Sequence, residues 1–195
     1  VRKINTSGSI SNFAGTGGSG SSGDGGTATA ATFSGDIWGL AMDGIGNIYI
    51  ADASGGKIRK VDPSGIITTF AGGGGSLGDG GPATAAQFQY PTGVAADAAG
   101  NVYVADGFDN RIRKVDASGI ITTVAGNGGS GYGGDGIAAT ATSLSSPYGL
   151  AVDGAGNIFV AEDGDARIRK VNTSGIISTI AGNGSYGVSG DGGPA

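Results

Sequence analysis

One short string recurs four times along the 195 residues: an aliphatic residue, Arg-Lys, a second aliphatic residue, and Asp or Asn. It starts at Val1, Ile58, Ile112 and Ile168, so consecutive copies lie 57, 54 and 56 residues apart. The same frame carries Asp24, Asp79, Asp135 and Asp191 in Gly-Asp-Gly, and Asp43, Asp97 and Asp153 at the ends of GLAMD, GVAAD and GLAVD. A unit of about 55 residues copied this closely must bury its apolar faces against its own neighbours, which restricts the chain to repeat architectures. The period also settles the meaning of the glycine content. Forty-four glycines and five prolines would suggest low complexity in an aperiodic chain, but here they fall at fixed places in the unit.

Each unit holds four short apolar runs. The first is WGLAMD, TGVAAD or YGLAVD, a nearly continuous run of small apolar residues that suits a strand covered on both faces. The second, NIYIAD, NVYVAD or NIFVAE, is rich in β-branched and aromatic residues. KIRKVD, RIRKVD or RIRKVN follows, and then IITTFAG, IITTVAG or IISTIAG. The joining segments, such as DGIGN and DPSG, place Asp or Asn early and Gly late, as a type I turn closed by a left-handed residue requires. Between units lies a Gly-rich insert of about twenty residues containing GDGGPATAAQF or a relative of it. In it Pro82 predicts a single helical turn through Ala83 to Gln87 with Phe88 as anchor, and Phe33 and Leu144 as its equivalents.

Four antiparallel strands per unit, the most crowded first, predict an all-β fold, a β-propeller built of four-stranded blades. A stacked solenoid is the alternative, disfavoured because its units usually carry parallel strands or helices. The expected layout is a single segment over 1–195. It comprises an outer half-blade at 1–14, blades at about 37–71, 91–125 and 147–181, and an insert at 182–195 leading to an absent blade: about 3.5 blades. A set of 3.5 blades does not close, and its open strand edges and blade faces predict self-association, most simply a homodimer that completes a ring.

Composition excludes several chemistries. With no cysteine and no histidine there is no disulfide framework, no thiolate metal site and no Ser/His/Asp triad. The net charge of −5 argues against a nucleic-acid surface, and no apolar run approaches the roughly 18–20 residues of a membrane span. All eleven basic residues sit in or beside the recurring Arg-Lys string. They are therefore expected to be architectural, with stems along neighbouring strands and heads on acidic partners. The Gly-Asp-Gly aspartates are expected to form local turns by accepting following backbone amides. Asp106 and Glu162 are expected to pair with Arg111 and Arg167 or to cap the turn.

The motif PxGLAVDxxGNxYVADxxxxRIRKVD, whole at 91–116 and nearly whole at 147–172, resembles the NHL-repeat family over essentially the entire chain. The insert with GDGGPATAA is similar to those of long, near-identical bacterial NHL arrays. The resemblance implies a propeller, commonly six-bladed in this family, and an extracellular or cell-surface location. It also implies two enzymatic alternatives, a calcium-dependent lactonase-like hydrolase and a zinc- and histidine-dependent lyase. The second is incompatible with a chain lacking histidine.

Within this copied framework, variation concentrates on the face where second strands run into third strands. There ASGG (53–56), GFDN (107–110) and DGDA (163–166) occupy one loop, and Trp38, Thr92 and Tyr148 one strand start. Trp38, Thr92, Tyr148, Phe108, Asp109, Asp163 and Asp165 are therefore the candidate ligand or partner residues. Asp106, Asp109, Glu162, Asp163 and Asp165 read as calcium ligands only loosely, because the regular spacing of a calcium loop is missing. No catalytic residue, cofactor or metal site is assigned. The expected function is a non-catalytic scaffold or recognition module for protein or glycan partners, without nucleic acid or membrane, in a polypeptide that is a fragment of, or a reconstruction from, a larger ring.

Overall fold

A computed structural model describes residues 1–187 together with Gly190, Asp191, Gly193 and Ala195; part of the 182–195 insert thus lies outside the described residues. The chain is all-β, with fourteen strands among the described residues. Strands β1 (Arg2–Ile4) and β2 (Ile10–Asn12) form a two-stranded sheet. Blade one comprises β3 (Ile37–Met42), β4 (Ile48–Asp52), β5 (Lys57–Val61) and β6 (Ile67–Gly72). Blade two comprises β7 (Pro91–Ala96), β8 (Val102–Asp106), β9 (Arg111–Val115) and β10 (Ile121–Ala125). Blade three comprises β11 (Pro147–Val152), β12 (Ile158–Glu162), β13 (Arg167–Val171) and β14 (Ile177–Ala181). Every blade is an antiparallel meander in sequence order, and β3 and β11 both lie against β7, so the first strands line the axis. This is a propeller whose ring is not closed.

The hairpins form because one aspartate satisfies several donors at once. Asp43 Oδ1 accepts the amides of Ile45 and Asn47, and its Oδ2 accepts the Asn47 side chain at 2.7 Å and the Tyr49 hydroxyl at 3.1 Å. Asp97 repeats all four bonds. Asp153 makes three, because Phe159 stands where the tyrosine would be. Gly46 closes the first turn at φ +91°, a left-handed conformation that a side chain would strain.

Alternate residues of each blade face opposite neighbours. Ile50, Val61 and Ile67 pack towards the half-blade with Ala14 and Phe33, whereas Tyr49, Ala51, Ile58 and Ala71 pack towards Val94, Val104 and Val115 of blade two. The next interface repeats this between Tyr103, Ala105 and Ile112 and the blade-three residues Val160, Val171 and Ile177. The first strand is covered on both faces only in blade two, which has a complete four-stranded blade on each side; β3 and β11 keep exposed positions such as Trp38, Leu40 and Tyr148.

The inserts behave differently from the sequence expectation in two respects. The helical element is a 3₁₀ turn limited to Ala83–Ala85, because Ala86 is already extended and the chain must drop Phe88 into the core. The Gly-Asp-Gly aspartates are not local turn-formers. Asp24, Asp79 and Asp135 instead reach a third-strand arginine of the following blade: Arg59 at 2.6 Å, Arg113 at 2.6 Å and Arg169 at 2.8 Å. The arginine side chains are completely buried, so a carboxylate supplied from the insert is worth more there than another turn hydrogen bond. Phe33 and Phe88 lie 5.7 and 6.0 Å from the first two guanidinium groups; in the third copy, where Leu144 replaces the phenylalanine, Tyr132 lies 4.9 Å from Arg169.

Candidate functional site on the loop face

The last residues of the second-strand runs build the floor of this face. Asp52, Asp106 and Glu162 end β4, β8 and β12 and are almost fully buried. Each accepts backbone amides from the segment entering its own blade: Ser34 to Asp52, Gln89 and Tyr90 to Asp106, Ser145 to Glu162. They therefore cap the turn. The expected pairing with Arg111 and Arg167 is not made, since Arg111 binds Asp109 and Arg167 binds Asp165, two residues before each arginine and nearer the surface. Glu162 instead lies 3.5 Å from Arg169. Burial raises the carboxyls of Asp52 and Glu162 above their ordinary range and pushes that of Asp106 up to about 6, against the hydrogen bonds from Tyr90 and Gln89 that favour its charged form.

On this floor the three blades assemble one aromatic cluster. Trp38 of blade one meets Tyr148 of blade three edge to face, with ring centroids 5.3 Å apart. The Trp38 indole N–H donates to the Tyr90 hydroxyl at 3.0 Å, and that hydroxyl donates to Asp36 Oδ2 at 2.7 Å, which also accepts Ser54 at 3.0 Å. These two donors hold the Asp36 carboxyl below its usual range. Tyr90 stacks on Phe108 at 4.6 Å with the rings 13° from parallel. Burial, then the nearby Asp163 carboxylate, raises the Tyr148 hydroxyl. Trp38, Phe108 and Tyr148 are nonetheless 50%, 71% and 39% exposed. Trp38 and Tyr148 also border an axial cavity of about 270 Å³ floored by Gly39, Gly93 and Gly149.

Of the candidate residues, the structure brings Trp38, Tyr148, Phe108 and Asp163 into this cluster. Thr92 is buried and donates to the Pro147 carbonyl at 2.9 Å, tying blade two to blade three, while Asp109 and Asp165 are occupied by their arginines. Sequence reasoning missed Tyr90 and Asp36. Both sit at the end of an insert where the other copies carry different residues, Ser146 in the third; an aromatic at a position otherwise small was the available signal. Among the described residues, no group of three or more acidic side chains is placed to hold a metal ion.

The sequence model of the Teneurin NHL domain matches residues 74–132 and 128–190. The fold is thus an NHL-type β-propeller, and the chain belongs to the NHL-repeat family. Protein SUPPRESSOR OF QUENCHING 1, chloroplastic, of Arabidopsis thaliana is 33% identical over 134 residues, which are 64% of this chain and 12% of that protein. Three solved structures share the fold. A nidogen/laminin complex matches with TM-score 0.55 and 21% identity over 74% of this chain and 48% of that one. An inactive Staphylococcus aureus virginiamycin B lyase with quinupristin matches with TM-score 0.55 and 16% identity over 92% and 47%. A Xanthomonas campestris gluconolactonase matches with TM-score 0.54 and 16% identity over 74% and 46%. The chain spans less than half the length of each of these structures.

Proposed function

We propose that the chain is a non-catalytic recognition module or scaffold, extracellular or at a cell surface, which binds protein or glycan partners through its loop face. The observation that carries this reading is the exposed cluster of Trp38, Tyr90, Phe108 and Tyr148. Three blades contribute to it, on a face whose loops vary while the framework is copied. Large exposed aromatic groups on an ordered backbone are how recognition surfaces gain contact area at low entropic cost. The test compares the wild-type chain with a Trp38→Ser, Phe108→Ser, Tyr148→Ser variant on arrays of matrix proteins and glycans. Signals lost in the variant support the module; identical signals in both would defeat it.

A calcium-dependent hydrolase is the competing reading, favoured by the fold shared with the gluconolactonase. A specific calcium site raises the melting temperature by mass action, by about 2.7 kcal/mol of added stability at a hundredfold excess over Kd. An unchanged melting curve in excess calcium sinks it.

Self-association forms part of the same proposal. Ile58 and Ile112 are fully buried by the following blade, whereas their counterpart Ile168 is 37% exposed, with Ile180 beside it at 42%. For the 195-residue polypeptide the proposed occupant of this apolar face is a second copy of the chain.

A further inference from the structure

We propose that the axial aromatic cluster is a stacking site for a neutral pyranose at the end or bend of a glycan, with Asp36 and Asp163 accepting its hydroxyls. This deepens the recognition reading above and rests on it. The face of a sugar ring is a sheet of C–H groups bordered by hydroxyls, so its ideal receptor is an exposed aromatic plane edged by acceptors. The cluster has that composition. Phe108 is backed on one side by the nearly parallel Tyr90 ring and is 71% exposed, which leaves a supported planar surface. Trp38 and Tyr148, crossed edge to face, form a second wall beside the axial cavity of about 270 Å³, a volume just below the range of drug-sized pockets and fitting a single ring better than a peptide segment.

The polar edge is arranged to match. Both protein donors to Asp36 go to Oδ2, and among the described residues none reaches Oδ1, so that oxygen is available to a hydroxyl. Asp163 is exposed beside Tyr148; the Tyr186 hydroxyl donates to its backbone carbonyl, and among the described residues no donor reaches its carboxylate oxygens. The chain from Trp38 through Tyr90 to Asp36, with the Asp106 carboxylate gripping the Tyr90 amide at 3.0 Å, sets the rings before any ligand arrives. Preorganisation of this kind reduces the ordering cost of binding. The charge at the cluster is negative, and Arg111 and Arg167 are each held by their own aspartate. Phosphorylated, sulfated and uronic acid sugars are therefore disfavoured, and a neutral ring is selected.

Trp38 is the only tryptophan, so its fluorescence reports this site alone. The 195-residue chain is titrated with neutral oligosaccharides of glucose, mannose, galactose and xylose up to the millimolar range, where weak glycan sites saturate. A saturable change in Trp38 emission is expected with at least one of them. Phe108→Ala and Tyr148→Ala should each weaken it about tenfold, the loss of roughly one aromatic contact. Asp36→Asn should weaken binding with the emission of the free protein little changed. Silence across the panel with the β-sheet circular dichroism intact overturns the proposal, as does binding that the variants leave unaltered. A response only to acidic oligosaccharides overturns the choice of a neutral ring. If the sugars are silent while a matrix protein still binds wild type and not the triple serine variant, the glycan proposal falls and the recognition reading stands.

Discussion

At Asp106 burial opposes charge, and this makes a pH dependence with an unusual sign. Its carboxyl is pushed up to about 6 in the folded chain, above the value of about 3.9 of an unfolded one. Between those values the folded state binds more protons than the unfolded state, so stability rises as pH falls from 7 towards 4. The contribution is about 2–3 kcal/mol. Asp43 and Asp97, whose hydrogen bonds hold their carboxyls low, act oppositely, and their contribution is lost only as pH falls below about 4. The expected outcome is a melting temperature higher at pH 5 than at pH 7, with the rise reduced in Asp106→Asn, which keeps an oxygen for the Gln89 and Tyr90 amides. A wild-type melting temperature that falls from pH 7 to pH 5 contradicts it. The buried arginines give a second test. Among the described residues Arg113 has no partner for Nε and one terminal nitrogen, so its charge is tolerated chiefly because of Asp79 and the Leu77 carbonyl. Asp79→Ala leaves that cation inside the molecule and should lower the urea unfolding free energy by about 2–3 kcal/mol. Arg113→Met removes the charge with most of the volume kept and should cost less.

The first strand of each blade owes its small residues to the approach of its neighbour. A Cβ on Gly39 would lie 2.7 Å from the Thr92 carbonyl oxygen, and one on Gly93 would lie 2.5 Å from that of Tyr148. Among the described residues no further first strand packs on Gly149, and the nearest contact of a Cβ there would be the Ala161 Cβ at 3.3 Å. Gly93→Ala should therefore destabilise the chain by about 1–3 kcal/mol through overpacking. Gly149→Ala, the same change at the same position of the repeat, should be within about 0.5 kcal/mol of wild type. Equal midpoints for the two variants in denaturant titrations would show that the inner strands do not meet as described.

For the molecule as a whole, the uncovered face of blade three makes a prediction about mass. Light scattering of the 195-residue polypeptide should give a multiple of 18.6 kDa, most simply two copies. Ile168→Lys, on that face, should shift it to one copy while leaving the folded signal of the monomer intact. A wild-type mass of one copy at high concentration removes the self-association proposal. The blades and their strand order were legible in the sequence because each hairpin is specified within a few residues, by Asp43 and Gly46 or Asp97 and Gly100. The candidate site was only half legible. Trp38 and Tyr148 are 110 residues apart, and the spacing of a repeat does not say that first strands from alternate blades bring their side chains together across the axis.

By itself the sequence determined the repeat, the four strands in each unit, the turns between them and the NHL family. All of these rest on short-range turn chemistry and on four short apolar runs that recur in every complete unit. Tertiary structure alone decided the partners of the long-range groups. It sent Asp24, Asp79 and Asp135 to arginines about 35 residues away instead of to their own turns, buried Thr92 between blades, and drew Tyr90 and Asp36 into the aromatic cluster. Local rules fail at such places because a buried guanidinium must find a carboxylate wherever the packed blades supply one, and that position is set by how neighbouring sheets sit face to face.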